Sequence, residues 1–153
     1  MVILQVADLF SSAERAQPTA VQEEENPEQV KARVPVIMVV DDSITTRTLE
    51  SNILRTSGYE TRTASDGLDA WTQLETEGCD LLVSDVMMPN LDGFGLTAEL
   101  RAHKRYKNLP VVLVTSLDSA ADRERGVEAG ADAYIVKGAF DQGALLEAVG
   151  RLI

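Results

Sequence analysis

"VIMVVDDS", residues 36–43, is an apolar run that ends in two adjacent carboxylates, Asp41 and Asp42. The run is continuously apolar rather than alternating, the pattern of a strand covered on both faces, as in a parallel sheet. The acids at its carboxyl end are harder to place. Two unit charges about 4 Å apart repel by roughly 4 kcal/mol at an effective dielectric near 20. The pair therefore needs a compensating group.

Outward from this stretch the pattern repeats. Strand-length apolar runs recur at 80–85 and Val111–Thr115, with weaker ones at 59–64 and Ala133–Val136. Helix-like segments lie between them. Thr46, Leu49 and Ile53 share a helical face, as do Leu68, Trp71 and Glu75 with Leu74 beside them; Leu145, Val149 and Leu152 repeat near the end. Ser43 is placed to cap the first helix, and Gly58 and Gly78 follow the ends of the first two. Five strand–helix pairs in alternation predict a doubly wound α/β domain with right-handed crossovers.

Composition sets the bounds. The 153 residues suit one ordinary domain with a short appendage, and a hydrophobic fraction of 44% supplies a core. A formal net charge of -11 argues against a nucleic-acid footprint. The single Cys79 cannot form an internal disulfide, and no apolar run approaches the roughly 20 residues of a membrane span. The opening "MVILQVADLF" has no basic region and too short an apolar core for a signal peptide. The expectation is a soluble, acidic, cytoplasmic protein that binds neither membrane nor nucleic acid. Residues 1–34 read as an N-terminal segment and linker: "VILQV" is strand-like, and 11–34 carry two prolines and the acidic run Glu23, Glu24, Glu25. A solvated helix fits 23–33. The domain proper is 35–153.

In a doubly wound sheet, ligands bind outside the carboxyl ends of the strands, where strand order reverses. There the first strand delivers Asp41 and Asp42, the third Asp85, the fourth Thr115 and the fifth Lys137. One Asp after a strand is usually a turn former; complementary groups from several strand ends are not. A hard divalent cation, Mg²⁺, would neutralise Asp41, Asp42 and Asp85 while keeping several waters. Mg²⁺ commonly serves phosphoryl groups, and one carboxylate could attack phosphorus to give an aspartyl phosphate. Lys137 would offset phosphoryl charge and Thr115 would hydrogen-bond a phosphoryl oxygen. The residues fit phosphoryl transfer to a carboxylate.

Other patterns read more plainly. "GFGLTA", 93–98, matches a dinucleotide fingerprint but does not directly follow a strand, so Gly93 is expected to open the third helix. "RAHKRYK", 101–107, holds the only histidine and reads as cations in solvent near a helix C-terminus. Trp71 is expected in the core, and Cys79 as a small structural residue.

"VVDDS", "SDVMMPNLDG", "VTS" and "GADAYIVK" resemble the signature blocks of response-regulator receiver domains, over residues 36–153. Asp85, Met88, Pro89, Asp92 and Gly93 fall in the family's D-x-x-M-P-x-x-D-G spacing. The resemblance implies a flavodoxin-like (βα)₅ fold with strand order 2-1-3-4-5. It also implies that Asp85 accepts a phosphoryl group from a histidine kinase and passes the signal to a downstream protein target. Asp41 and Asp42 match the Mg²⁺-binding acids, with the Met87 carbonyl as a further ligand. Thr115 and Tyr134 match the switch hydroxyl and switch aromatic, and Lys137 the family lysine.

Two departures follow. Gly138 stands where the family has a cis proline, which leaves the Lys137–Gly138 peptide open to either isomer. Met87 and Leu117 occupy positions where relatives carry polar groups that hold hydrolytic water, which predicts slow loss of the phosphoryl group. More finely, "VDDSITTR" and "IVKGAFDQGALLEAV" resemble receivers at the C-terminus of CheA-type hybrid kinases, and "MVILQVADLF" is similar to the end of the CheW-like domain before them. Met1 would then start a segment cut from a longer kinase, with the phosphodonor in the same parent chain. In itself the segment would have at most autophosphatase activity. The rival is a Mg²⁺-dependent aspartyl-phosphate hydrolase of haloacid-dehalogenase type, which favours D-x-D where this chain has adjacent acids. A receiver that binds partners without phosphorylation is a third reading, against which the intact acids weigh.

Overall fold

Uninterrupted apolar runs with no solvent-facing alternation become the buried strands. The computed structural model describes residues 34–137 and 142–153, in which five strands alternate with five helices. In chain order these are β1 (Val36–Val40), α1 (Ile44–Thr56), β2 (Glu60–Ala64), α2 (Gly67–Thr76) and β3 (Leu81–Ser84). There follow α3 (Gly93–Ala102), β4 (Val111–Thr115), α4 (Ala120–Ala129), β5 (Ala133–Val136) and α5 (Gln142–Leu152). All pairings are parallel, in the order β2-β1-β3-β4-β5, so the flavodoxin-like doubly wound sheet is as expected. The expected N-terminal strand, linker and helix at 23–33, and the Lys137–Gly138 peptide, lie outside the described residues. No helix among the described residues is long and apolar enough to cross a membrane.

Side chains of β1, β3 and β4 alternate between two cores. Met38, Val40, Leu82, Val111 and Leu113 pack with residues of α2 and α3 on one face; Ile37, Val39, Leu81, Val83, Val112 and Val114 pack with α1 and α5 on the other. The edge strands β2 and β5, the weaker runs in sequence, are only partly buried.

The helices turn somewhat differently from the predicted faces. On α1 the buried residues are Glu50, Ser51, Ile53 and Leu54, whereas Leu49 is 51% exposed. At 100° per residue Leu54 lies above Glu50 and Ser51, and Ile53 marks the rim of the stripe, so Leu49 falls outside it. On α2 Gly67, Ala70 and Leu74 face inward, Trp71 flanks the core and Leu68 is left exposed. Ser43 caps α1, its Oγ accepting from the Thr46 N–H, and Gly58 adopts φ 99° just after the helix.

The N-terminal end of the sheet is closed by acids in matched roles. Asp80, expected inside β3, lies just before it: its N–H donates to the Val36 carbonyl while its Oδ2 accepts from the Val36 N–H at 2.7 Å. Asp132, just before β5, does the same with both backbone groups of Val111. Arg101 completes the second pair. Its guanidinium donates to the Gly130 and Leu109 carbonyls and to Asp132 Oδ2 at 2.9 Å. The basic run 101–107 is thus divided, with Arg101 built into the fold and Lys104, Arg105 and Lys107 exposed as expected.

Candidate functional site

Strand register decides which side chains meet at the other end. Val40 pairs with both Ala64 and Ser84, so the next residues, Asp41 and Asp85, emerge side by side from neighbouring strands. Backbone bonds fix them there: Asp85 N–H donates to the Val40 carbonyl and Asp41 N–H to the Ala64 carbonyl. Thr115 pairs with Val136, so Lys137 starts one residue beyond the end of β4. A four-carbon stem is long enough to bring its ammonium back over the acids. Nζ lies 3.2 Å from Asp41 Oδ2 and 3.3 Å from Asp85 Oδ2.

Asp41 and Asp85 are buried, while Asp42 is exposed above them. One carboxylate oxygen from each lies within 4.8 Å of the others, so the three could share one small cation. The two buried acids are oriented by the backbone, Asp41 Oδ1 by the Ser43 N–H at 2.8 Å and Asp85 Oδ1 by the Val86 N–H at 2.7 Å. Burial pushes the Asp41 pKa up; the Ser43 N–H opposes that and the Asp85 charge adds to it. Burial works against the Lys137 ammonium, but the Asp85 and Asp41 charges outweigh it and hold its pKa above the usual value. One lysine thus faces three acids, a donor set that suits Mg²⁺.

Thr115 and Tyr134 meet at a single residue, Leu117, through the two peptides that flank it. The wholly buried Thr115 Oγ1 accepts from the Leu117 N–H at 3.3 Å, and the Tyr134 hydroxyl donates to the Leu117 carbonyl at 2.8 Å. The Tyr134 ring lies against α4 where Gly126 has no side chain: a Cβ there would meet it at 2.8 Å. Met87 stands exposed on the β3–α3 loop.

"GFGLTA" is no phosphate cradle. Gly93 opens α3, with Asp92 as its cap, and a Cβ at Gly93 would come within 2.2 Å of the Asp85 carbonyl. That glycine lets the helix start directly beneath the acid. Cys79 is half-buried, and burial pushes its thiol up to about 11, which fits an unreactive structural residue.

Some residues of this region carry no obvious signal. Arg47 reaches back along α1 to donate to the Asp41 carbonyl at 2.7 Å. Glu50, one turn further, is 2% exposed. Burial first, and then the Asp41 charge, push its pKa up to about 8 against the pull of Lys137. Its only trace in sequence is an acid one turn before Leu54 on a face otherwise turned to the core.

Comparison with known proteins follows the same lines. Residues 37–150 match the family described as response regulator receiver domain. The chain is 36% identical over 152 residues to the gliding motility regulatory protein of Myxococcus xanthus, covering 99% of this chain and 19% of that protein, so it spans about a fifth of that relative's length. The chemotaxis protein CheY4 of Vibrio cholerae superposes with a TM-score of 0.74 at 32% identity, covering 79% of this chain and 100% of that one. The receiver domain of a sensor histidine kinase from Pseudomonas aeruginosa PAO1 gives a TM-score of 0.71 at 28% identity, covering 78% of this chain and 98% of that one; it has a magnesium ion coordinated in its active site cleft.

Proposed function

The chain belongs to the response regulator receiver domain family of two-component signalling, and from that premise we propose that Asp85 is the acceptor in a Mg²⁺-dependent phosphorelay. The observation that carries this is the convergence of Asp41, Asp42 and Asp85 within 4.8 Å under a single ammonium. Asp41, Asp42, Asp85 and the Met87 carbonyl would hold the cation. When bound, Mg²⁺ supplies positive charge to the acids and to the phosphoryl oxygens. An Asp85 oxygen forms the new bond to phosphorus as the bond to the donor histidine nitrogen breaks. Lys137 then pairs with the added phosphoryl charge.

The Leu117 backbone links that chemistry to the surface. If the Thr115 hydroxyl turns to a phosphoryl oxygen, the Leu117 N–H loses its acceptor. The carbonyl held by Tyr134 loosens with it, and the surface of α4, β5 and α5 shifts between two populations. The signal would leave through contact with a downstream protein. Neither Met87 nor Leu117 offers a polar group to hold attacking water, which favours a phosphoryl group lost over minutes rather than seconds.

The match to the Myxococcus protein runs through residues 1–34 as well as 35–153. This supports reading 1–34 as an interdomain segment and 35–153 as the receiver of a CheA-type hybrid kinase in motility signalling, with the phosphodonor in the same parent chain. A cytoplasmic location goes with that reading.

The test is intact mass after incubation with Mg²⁺ and acetyl phosphate. Wild type should gain one phosphoryl group and Asp85→Asn none. Rapid multiple turnover of phosphomonoesters would point to a hydrolase instead. A wild type that never gains mass would leave a receiver that works by binding alone.

A further inference from the structure

The β3–α3 loop is an excursion pinned at both ends. At its base the Gly93 N–H donates to the Val86 carbonyl at 2.9 Å, with Gly93 packed against the Asp85 carbonyl. At its tip it is tied to another loop altogether. Asn90 Nδ2 donates to Asp66 Oδ2 at 2.7 Å, across 24 residues of sequence, and the Gly67 N–H donates to the Leu91 carbonyl at 3.2 Å. A Cβ at Gly67 would stand 2.3 Å from that carbonyl, so the β2–α2 turn fits the tip closely.

Met87 lies between base and tip, and no hydrogen bond among the described residues uses its carbonyl. Its direction depends on the backbone from Val86 to Asn90. Pro89 restricts one φ there, and Asn90 sits at φ 71°, a conformation that non-glycine residues rarely adopt and asparagine tolerates best. The cross-loop bond closes on that conformation together with the Leu91 N–H on the Pro89 carbonyl and the Gly67 N–H on the Leu91 carbonyl. Asp66 serves two tasks at once, its Oδ1 capping α2 at the Asp69 N–H and its Oδ2 receiving Asn90.

We propose that Asp66 and Asn90 are positioning residues of the cation site, their hydrogen bond holding the β3–α3 loop so that the Met87 carbonyl faces the acids. This rests on the reading of Asp41, Asp42, Asp85 and Met87 as the Mg²⁺ ligands. It makes the β2–α2 turn, which contributes no ligand, part of the machinery that sets cation affinity.

The experiment is Mg²⁺ titration of the full chain by calorimetry, with thermal unfolding as a control. Asn90→Gly keeps the positive φ and removes only the amide. Asp66→Ser keeps an oxygen for the α2 cap but has none to spare for Asn90. Each should weaken Mg²⁺ binding by about tenfold, the low end of what groups that orient metal ligands contribute. The double variant should be no weaker than the worse single one, because both remove the same bond. Phosphorylation by acetyl phosphate, titrated against Mg²⁺, should shift its midpoint to higher Mg²⁺ by the same factor. Wild-type Mg²⁺ affinity in Asn90→Gly, or effects that multiply in the double variant, would overturn the proposal. A wild type that binds no Mg²⁺ would instead overturn the cation site itself.

Discussion

The two ends of the sheet use the same residue type to opposite effect. At the N-terminal end Asp80 and Asp132 each pair with both backbone groups of a neighbouring strand's first residue, and Arg101 adds its charge to Asp132. At the C-terminal end Asp41, Asp42 and Asp85 crowd within 4.8 Å with one lysine between the two buried ones. One end satisfies its acids within the fold, by backbone N–H groups and Arg101. The other, among the described residues, gathers more carboxylates than the cations beside them, Lys137 and Arg47, can match. An acid's position along a strand therefore says less about its role than whether its charge is matched. Removing charge should destabilise the first end and stabilise the second.

The largest effect is expected at the matched end. Arg101→Ala takes the guanidinium from the Gly130 and Leu109 carbonyls and from the Asp132 carboxylate at once, leaving Asp132 only the Val111 N–H. The two part-buried carbonyl bonds at about 1 kcal/mol each, with a smaller share from the exposed Asp132 pair, put the cost at about 2–3 kcal/mol. Denaturant unfolding should show that loss, together with a fall of roughly 10 °C in the melting temperature. Phosphorylation of the folded fraction should stay near wild type. A variant as stable as wild type would mean that Asp132 is held by backbone alone and that the two ends differ less than their geometry suggests.

Glu50 sharpens the contrast from the other side, as a buried acid close to the unmatched end. Its pKa is about 8 in the fold against an ordinary 4.5, so between those values the folded chain holds a proton that the unfolded chain has released. Stability from this group is therefore present at low pH and lost as pH rises towards and through 8. By linkage the loss between pH 6 and pH 9 is about 2–3 kcal/mol. Glu50→Gln should remove that slope, leaving the variant more stable than wild type at pH 9, less so at pH 6, and level with it only below about pH 4.5, where both states of Glu50 hold the proton. Parallel stability curves for the two proteins would show that Glu50 is not held in a charge-disfavouring position.

How far the sequence reveals this depends on the range of the interaction. The strands were legible because β1, β3 and β4 are apolar without interruption, a local property that needs two covered faces. The meeting of Asp41, Asp85 and Lys137 was legible because strand ends in a parallel sheet share one rim. Helix orientation was less so: Leu49 and Leu68 look like core residues, but the stripe that meets the sheet is set by Leu54 and Leu74. The cross-links were not legible at all. Asn90 reaches Asp66 across 24 residues and Arg101 reaches Asp132 across 31, and nothing local to either partner announces the other. Residues 101–107 show this well, since one run of cations supplies both a structural clamp and an exposed patch.

The smallest effect is also the one whose sign can reverse. Asp42 is the exposed acid of the cluster, so Asp42→Asn relieves repulsion without opening a cavity in the core. Without divalent cation the variant should be more stable than wild type by about 0.5–1 kcal/mol, in line with exposed charge pairs. Adding Mg²⁺ at ten times its dissociation constant should stabilise wild type by about 1.4 kcal/mol, because binding only to the folded state adds RT ln(1 + [L]/Kd). The variant, with one ligand fewer, should gain much less at the same concentration. The order of stability therefore inverts between chelator and Mg²⁺, measured by denaturant unfolding in the two buffers. A surface charge with no part in cation binding would shift both buffers alike. Only a residue whose repulsion is relieved by the ion itself can be the weaker choice in one buffer and the stronger in the other.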